Sequence, residues 1–149
     1  MKTKCILSFV LAIMVSVLSL SLVGCSARNP IDADAFQTAA EAAGYTVEEI
    51  EAQSPATGTL LATLDNTEIY FYTTNSGQDA QSIYAQTKAG LESGGSKGQA
   101  LDSDTYCKYS ISTGDLYYHM VRNGSTLVFA KAPAASQSSV ESFFESIHY

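Results

Sequence analysis

Two residues in the second half of the chain, Cys107 and His119, have side chains that serve enzymes as nucleophile and base. A thiol becomes reactive when a nearby base or cation lowers its pKa, and a histidine acts as a base when polar groups orient it. The strand pattern places Cys107 on an apolar face beside Met120, and His119 on the opposite, more polar face across from Lys108. We therefore expect a buried, inert thiol, a solvated histidine and no catalytic centre.

Three short motifs resemble known sites and depart from them. Asp102 and Asp104 have the spacing of calcium ligands, but the glycine and the closing glutamate of a calcium loop are missing. Residues 94–98, Gly-Gly-Ser-Lys-Gly, are as glycine-rich as a phosphate loop, yet they follow a predicted helix instead of a strand. Residues 123–125, Asn-Gly-Ser, match a glycosylation acceptor and are interpreted as a hairpin turn. The sequence predicts neither a metal nor a cofactor.

One face of the predicted strands carries a group of aromatic and polar side chains. They are Tyr106, Lys108, Tyr117 and His119. Exposed tyrosines bring a large contact area at a low cost in entropy, so this face is a candidate binding surface for a sugar or a protein. The alternative is that the tyrosines are strand formers half covered by a loop, which nine tyrosines and no tryptophan favour.

Hydrophobic periodicity and turn residues divide residues 32–149 into helices and strands. Helices are predicted from Asp32 to Ala43, from Ser76 to Leu91, and from a capping box formed by Ser138 and Glu141. The first strands are expected over 45–52, 59–64 and 68–74. Three more strands follow around the turns Thr113-Gly114 and Asn123-Gly124. The sequence predicts an α+β domain of order αβββαβββα, with an antiparallel sheet, helices on one face, and a duplicated αβββ unit as one interpretation.

The last three strands have a register that two-residue turns would fix. Such turns pair Cys107, Tyr109 and Ile111 with Met120, Tyr118 and Leu116, and those in turn with Leu127, Phe129 and Lys131.

The N-terminus carries the pattern of an exported protein. Lys2 and Lys4 precede an uncharged, mostly apolar stretch that ends in the run Leu22, Val23, Gly24, Cys25. This run resembles the lipobox of bacterial lipoproteins. The resemblance implies a signal peptide over residues 1–24, a diacylglyceryl and palmitate anchor on Cys25, a linker over 25–31 and a single domain over 32–149. A retained transmembrane anchor is the alternative.

The domain itself carries a weaker resemblance. Phe36, Ala40, Gly44 and Tyr45, followed by a hairpin ending in Tyr-Phe-Tyr at 70–72, look like small surface lipoproteins of Gram-positive bacteria. That class implies a position on the bacterial cell surface and brings no known activity with it.

The charge balance restricts the partners. Without Lys2 and Lys4, six basic residues face fifteen acidic ones, a net charge of −9. Nucleic acid, teichoic acid and anionic lipid bind clustered Lys and Arg, so the sequence disfavours all three. We expect a lipid-anchored protein on the extracytoplasmic face of the cell membrane, with a non-enzymatic binding or structural role and a protein or cell-wall partner. The alternatives are a cell-envelope enzyme and a solute-capture accessory protein.

Overall fold

The computed structural model describes residues 29 to 149, so the predicted signal peptide and Cys25 lie outside the described residues. Its helices are α1 (Ala33–Ala42), α2 (Gly77–Glu92) and α3 (Gln137–Ser146), the last preceded by a 3-10 turn at Ala134–Ser136. Its strands are β1 (Thr46–Ile50), β2 (Ala56–Leu64), β3 (Thr67–Thr74), β4 (Gln99–Asp102), β5 (Tyr106–Thr113), β6 (Leu116–Asn123) and β7 (Thr126–Pro133). The α+β class and the order of the units are confirmed, with β4 as an additional strand.

Side-chain caps explain where the first two helices begin. The Asp32 carboxylate accepts a hydrogen bond from the backbone N–H of Ala35 at 2.8 Å, and the Ser76 hydroxyl accepts one from that of Asp79 at 3.1 Å. Both starts agree with the sequence prediction. The capping box at Ser138 was wrong, because the N-cap of α3 is Ser136, two residues earlier, and the Glu141 carboxylate accepts hydrogen bonds from Tyr117 and Gln137.

The sheet is antiparallel throughout, in the order β1-β2-β3-β7-β6-β5-β4. Two meanders, β1 to β3 and β4 to β7, meet where β3 pairs with β7. The edges are β1, whose exposed Glu48 and Glu49 discourage pairing with another chain, and the short strand β4.

Both hairpin turns in the second meander lie one residue later than the sequence predicts. The turn residues are Gly114-Asp115 and Gly124-Ser125, with φ of +59° and +58° at the glycines. A positive φ at the first turn position favours glycine there, and this outweighs the Asn-Gly signal. Cys107 consequently pairs with Arg122, so the predicted pairing with Met120 was wrong. Moving a two-residue turn by one position shifts the register by two residues, so each side chain keeps its predicted face.

Helices cover both faces of the sheet, which corrects the prediction that they share one face. α1 and α3 pack Phe36, Val140 and Phe144 against one side of the central strands. α2 packs Tyr84 on the other side, against a cluster that includes Met120. The reason is that the central strands are apolar on both sides. Tyr117 and Val121 are buried on the side of α1 and α3, and Met120 and Leu127 are buried on the side of α2. The result is three layers around one sheet.

Candidate functional site

The tyrosine surface predicted from the sequence is not an open face. Tyr117 is 2% exposed and His119 is 1% exposed, while Tyr106 and Lys108 are half-buried. α3 covers this side of the sheet, and its Phe144 ring meets the His119 ring edge-on with centroids 4.6 Å apart. The predictions of a solvated histidine and of an exposed stacking surface at Tyr117 were therefore wrong.

A hydrogen-bonded chain links the two buried residues to α3. The Tyr117 hydroxyl donates to the Glu141 carboxylate at 2.8 Å. Its single proton is thereby used, so it accepts from Nδ1 of His119 at 3.0 Å. This assignment leaves Nε2 of His119 unprotonated, and that buried atom has no hydrogen-bond partner among the described residues.

Burial sets the charge state of this chain. Desolvation lowers the pKa of His119 to about 4; the nearby Lys108 charge adds to the effect and that of Glu141 opposes it. Burial also raises the pKa of Tyr117, while the hydrogen bond from Tyr117 is the main cause of a lowered pKa at Glu141. At neutral pH a neutral histidine and a neutral tyrosine thus join one carboxylate. These hydrogen bonds connect α3 to β6. The sequence analysis did not predict them, because Glu141 lies 24 residues from Tyr117.

Cys107 is buried, as predicted, and 1% exposed. Its single thiol proton has two acceptors within reach, the backbone carbonyl of Ser103 at 3.3 Å and the side-chain oxygen of Gln81 at 3.5 Å. Cys107 and His119 have opposite parity in paired strands and belong to opposite faces of the sheet. The structure therefore does not bring the thiol and the imidazole together.

A buried arginine stands beside this thiol. Arg122 is 2% exposed, and its guanidinium donates to the carbonyls of Gly124, Ser103 and Asp104 at 3.2, 3.1 and 2.9 Å, and to the Cys107 sulfur at 3.4 Å. Three carbonyl dipoles thus take the place that a carboxylate has in most buried ion pairs. This cation holds together two loops at one end of the sheet.

Two of the motifs noted in the sequence, the Asp102 and Asp104 pair and the glycine-rich segment 94–98, contain groups with hydrogen-bond partners inside the domain. Asp102 accepts hydrogen bonds from the Tyr84 hydroxyl at 2.7 Å and from Lys88 at 3.0 Å, and the first of these is the main cause of its lowered pKa. Within residues 29–149 no group of three or more acidic, His or Cys side chains is placed to hold a metal. The glycine-rich segment connects α2 to β4, and the backbone N–H of Gly98 donates to the Tyr109 hydroxyl.

An open cleft of about 330 Å³ lies beside α2 on its face of the sheet. Its floor is formed by β2 and β3, one wall by the loop between β1 and β2, and the other wall by α2. The lining residues are Ile50, Glu51, Gln53, Ser54, Pro55, Ala56, Thr59, Tyr70, Tyr72, Ile83, Gln86 and Thr87.

Two tyrosines dominate the floor of the cleft. The rings of Tyr70 and Tyr72 are parallel within 8°, with centroids 6.1 Å apart, and both are half-buried. The row continues from Tyr70 to Phe129 and on to Tyr118 at centroid distances of 6.1 and 6.2 Å. The sequence placed Tyr118 and Phe129 on a covered apolar face. α2 leaves both partly exposed, so the partly exposed aromatic row lies on the face of the sheet opposite to the predicted binding surface.

The groups gathered in this cleft are aromatic rings, amides, hydroxyls and one carboxylate, which are groups that bind and orient a ligand. The described chain is thus an α+β domain of three layers, with an open, mixed polar and aromatic cleft at the side of one helix.

Comparisons with known proteins support this architecture. No protein-family model matches the chain, and no curated protein matches its sequence. A crystal structure from Thermotoga maritima, described as that of a GTP binding regulator, is similar with a TM-score of 0.52 and 16% sequence identity, over 80% of this chain and 88% of that chain. An identity this low shows a shared fold alone.

Proposed function

We propose that this chain is a lipid-anchored protein of the extracytoplasmic face of the cell membrane, which acts by binding a ligand or partner without catalysing a reaction. The observation that carries the proposal is the run Leu22, Val23, Gly24, Cys25 after an uncharged apolar stretch. A diacylglyceryl group on Cys25 supplies two acyl chains, and two chains anchor a protein stably where one does not.

The start of the folded domain fits a short tether. Pro30 lies against the turn between β6 and β7, with its Cγ 3.6 Å from the position that a Cβ on Gly124 would take. Ile31 packs on the core shared by α1 and α3. The stretch from Ser26 to Pro30 reaches about 17 Å when fully extended. A lipid on Cys25 therefore keeps the Gly124 end of the sheet near the bilayer. No helix in residues 29–149 is long and apolar enough to cross a membrane.

Binding fits the described chemistry better than catalysis. The Cys107 thiol is buried on the opposite face of the sheet from His119, and the hydrogen bonds among Tyr117, His119 and Glu141 hold α3 against the sheet. A cell-envelope enzyme requires a nucleophile, a base and an orienting group around an open cleft. The solute-capture alternative uses the same cleft as the binding proposal and differs in its partner, a transporter.

The GTP in the description of the structural neighbour is not part of this proposal. A triphosphate is bound by clustered cations or by a glycine-rich loop between a strand and a helix. Among residues 29–149, the cleft is lined by one carboxylate and by no basic side chain, and residues 94–98 follow a helix.

The anchor is tested by mass spectrometry of the protein purified from bacterial membranes after labelling with palmitate. We expect a mature N-terminus at Cys25 that carries diacylglyceryl, and an unlabelled, unprocessed chain for Cys25→Ala. Cys5→Ala and Cys107→Ala are matched controls, which should be lipidated like the wild type. A wild-type N-terminus at Met1 with a free Cys25 thiol would refute the lipid anchor and favour the transmembrane one.

A further inference from the structure

We propose that the cleft beside α2 binds a neutral saccharide of one or two rings. The inference rests on the proposed function in one respect. A domain on the extracytoplasmic face of the membrane would be exposed to the saccharides of the cell surface. The cleft volume of about 330 Å³ lies at the lower end of the range of ligand pockets, roughly 300–1,000 Å³. A cleft of this size therefore suits a small ligand instead of a folded partner.

The two tyrosine rings provide the apolar part of such a site. One face of a pyranose ring carries C–H groups, and packing them on an aromatic ring removes apolar surface from water. The Tyr70 hydroxyl donates to Glu68 at 3.2 Å, and Glu68 lies 3.7 Å from the ammonium of Lys131. These contacts favour one orientation of the Tyr70 ring before a ligand arrives, and a preorganised ring loses less entropy on binding.

The polar lining matches the hydroxyl groups of a sugar. Gln53 and Gln86 each offer an amide that both donates and accepts, and the Thr87 hydroxyl does the same. Burial raises the pKa of Tyr72 to about 12, so its phenol stays protonated at neutral pH and can donate a hydrogen bond. Because each sugar hydroxyl is also donor and acceptor at once, neutral groups of this kind satisfy it without a charge.

Charge decides against the other classes of small ligand. Glu51 is the only charged side chain that the described part of the chain contributes to the lining, and the whole chain has a net charge of −7. A phosphate or carboxylate ligand would meet no counter-charge in the cleft. An organic cation is the main competitor, because tyrosine rings and a carboxylate bind such cations. Glu51 is exposed and its charge is screened by salt, whereas the neutral donors and acceptors outnumber it.

Calorimetric titration of the full chain in phosphatidylglycerol nanodiscs tests the proposal. The probes are cellobiose, maltose and N,N′-diacetylchitobiose, with choline and inorganic phosphate as comparators. We expect saturable binding of at least one disaccharide and none of either comparator. Binding of choline in preference to all three sugars, or binding of no sugar at all, would overturn the inference.

Two matched pairs of variants locate the site. Tyr70→Ala and Gln86→Ala should each weaken sugar binding by about tenfold or more. Tyr118→Ala removes a ring of the same row outside the cleft, and Gln78→Ala removes an exposed amide of the same helix outside it, so both should keep the wild-type affinity. Gln86 and Gln78 are exposed, which keeps both variants folded. An unchanged affinity in both cleft variants would place the binding elsewhere and refute the proposal.

The proposals of a lipid anchor and of a saccharide site can be refuted independently of each other. A chain with a lipidated Cys25 that binds none of the sugars contradicts the saccharide site alone. A chain that binds a sugar through the cleft but keeps Met1 as its N-terminus contradicts the lipid anchor alone.

Discussion

Lowering the pH should destabilise the domain through His119. In the folded state burial keeps this imidazole neutral and lowers its pKa from 6.5 to about 4. As the pH falls below 6.5, the unfolded chain binds a proton at this position and the folded chain does not. The stability that His119 contributes is therefore complete above pH 6.5 and is lost progressively down to about pH 4.

The difference between the two pKa values, from 6.5 to about 4, gives the size of the effect. At about 1.4 kcal/mol for each pKa unit, it amounts to about 3 kcal/mol of unfolding free energy. This is a large part of the roughly 5–15 kcal/mol that stabilises a typical domain. The Glu141 carboxylate, whose pKa is lowered, loses its own contribution at the acidic end of the same range.

Urea denaturation of the chain from residue 26 onwards, at a series of pH values from 7.5 to 4, measures this loss. His119→Phe keeps a ring of similar size and removes the titrating group, while the hydrogen bonds from Tyr117 and Gln137, which are the largest causes of the lowered Glu141 pKa, can remain. Subtracting the pH profile of the variant from that of the wild type isolates the histidine. Two profiles of equal slope between pH 6.5 and 4 would refute the assignment of a buried neutral imidazole.

The two remaining predictions concern packing. Gly98→Ala should destabilise the domain by about 3 kcal/mol in thermal or urea unfolding, because its Cβ would lie 2.2 Å from the Ser110 carbonyl oxygen. Gly90→Ala in α2 meets no atom within 4 Å and should stabilise the domain by roughly 0.5–1 kcal/mol; an unchanged or raised stability of Gly98→Ala would contradict the packing around Gly98. The Cys107 thiol should react with a disulfide reagent at least about a hundredfold more slowly in the folded chain than in urea, since it is buried; equal rates would contradict its position beneath α2.

Local signals account for the features that the sequence predicts well. The hydroxyl of Ser76 and the carboxylate of Asp32 begin helices through contacts within three residues. The face of each strand residue follows from alternation, so the burial of Cys107 was predicted although its cross-strand partner was not. The exact turns were missed because the pattern places each glycine in the turn without showing its position there, and Gly114 and Gly124, with positive φ, take the first turn position instead of the second.

Contacts between distant segments account for what the sequence could not provide. The burial of Tyr117 depends on α3, more than 20 residues further along the chain, and no local pattern says which face of the sheet that helix covers. β4 has four exposed residues and no alternation, so it gave no strand signal. The cleft combines residues from 50 to 56, from β2 and β3, and from α2. Of its lining residues, Tyr70 and Tyr72 belong to a run that the sequence analysis had noted, although not as part of a cleft.

The buried guanidinium of Arg122 has a mechanical consequence. The tether enters the domain at Pro30, beside the loop whose Gly124 carbonyl this cation binds, and the same cation also binds the carbonyls of Ser103 and Asp104. If the N-terminus is anchored as proposed, tension on it would be shared between these two strand connections. If either loop moved away, the buried Arg122 guanidinium would lose the carbonyl groups that accept its hydrogen bonds. The energetic cost of this loss opposes opening of the sheet at that end. In the proposed anchored protein, the end of the domain next to the membrane would thus be the end that Arg122 braces.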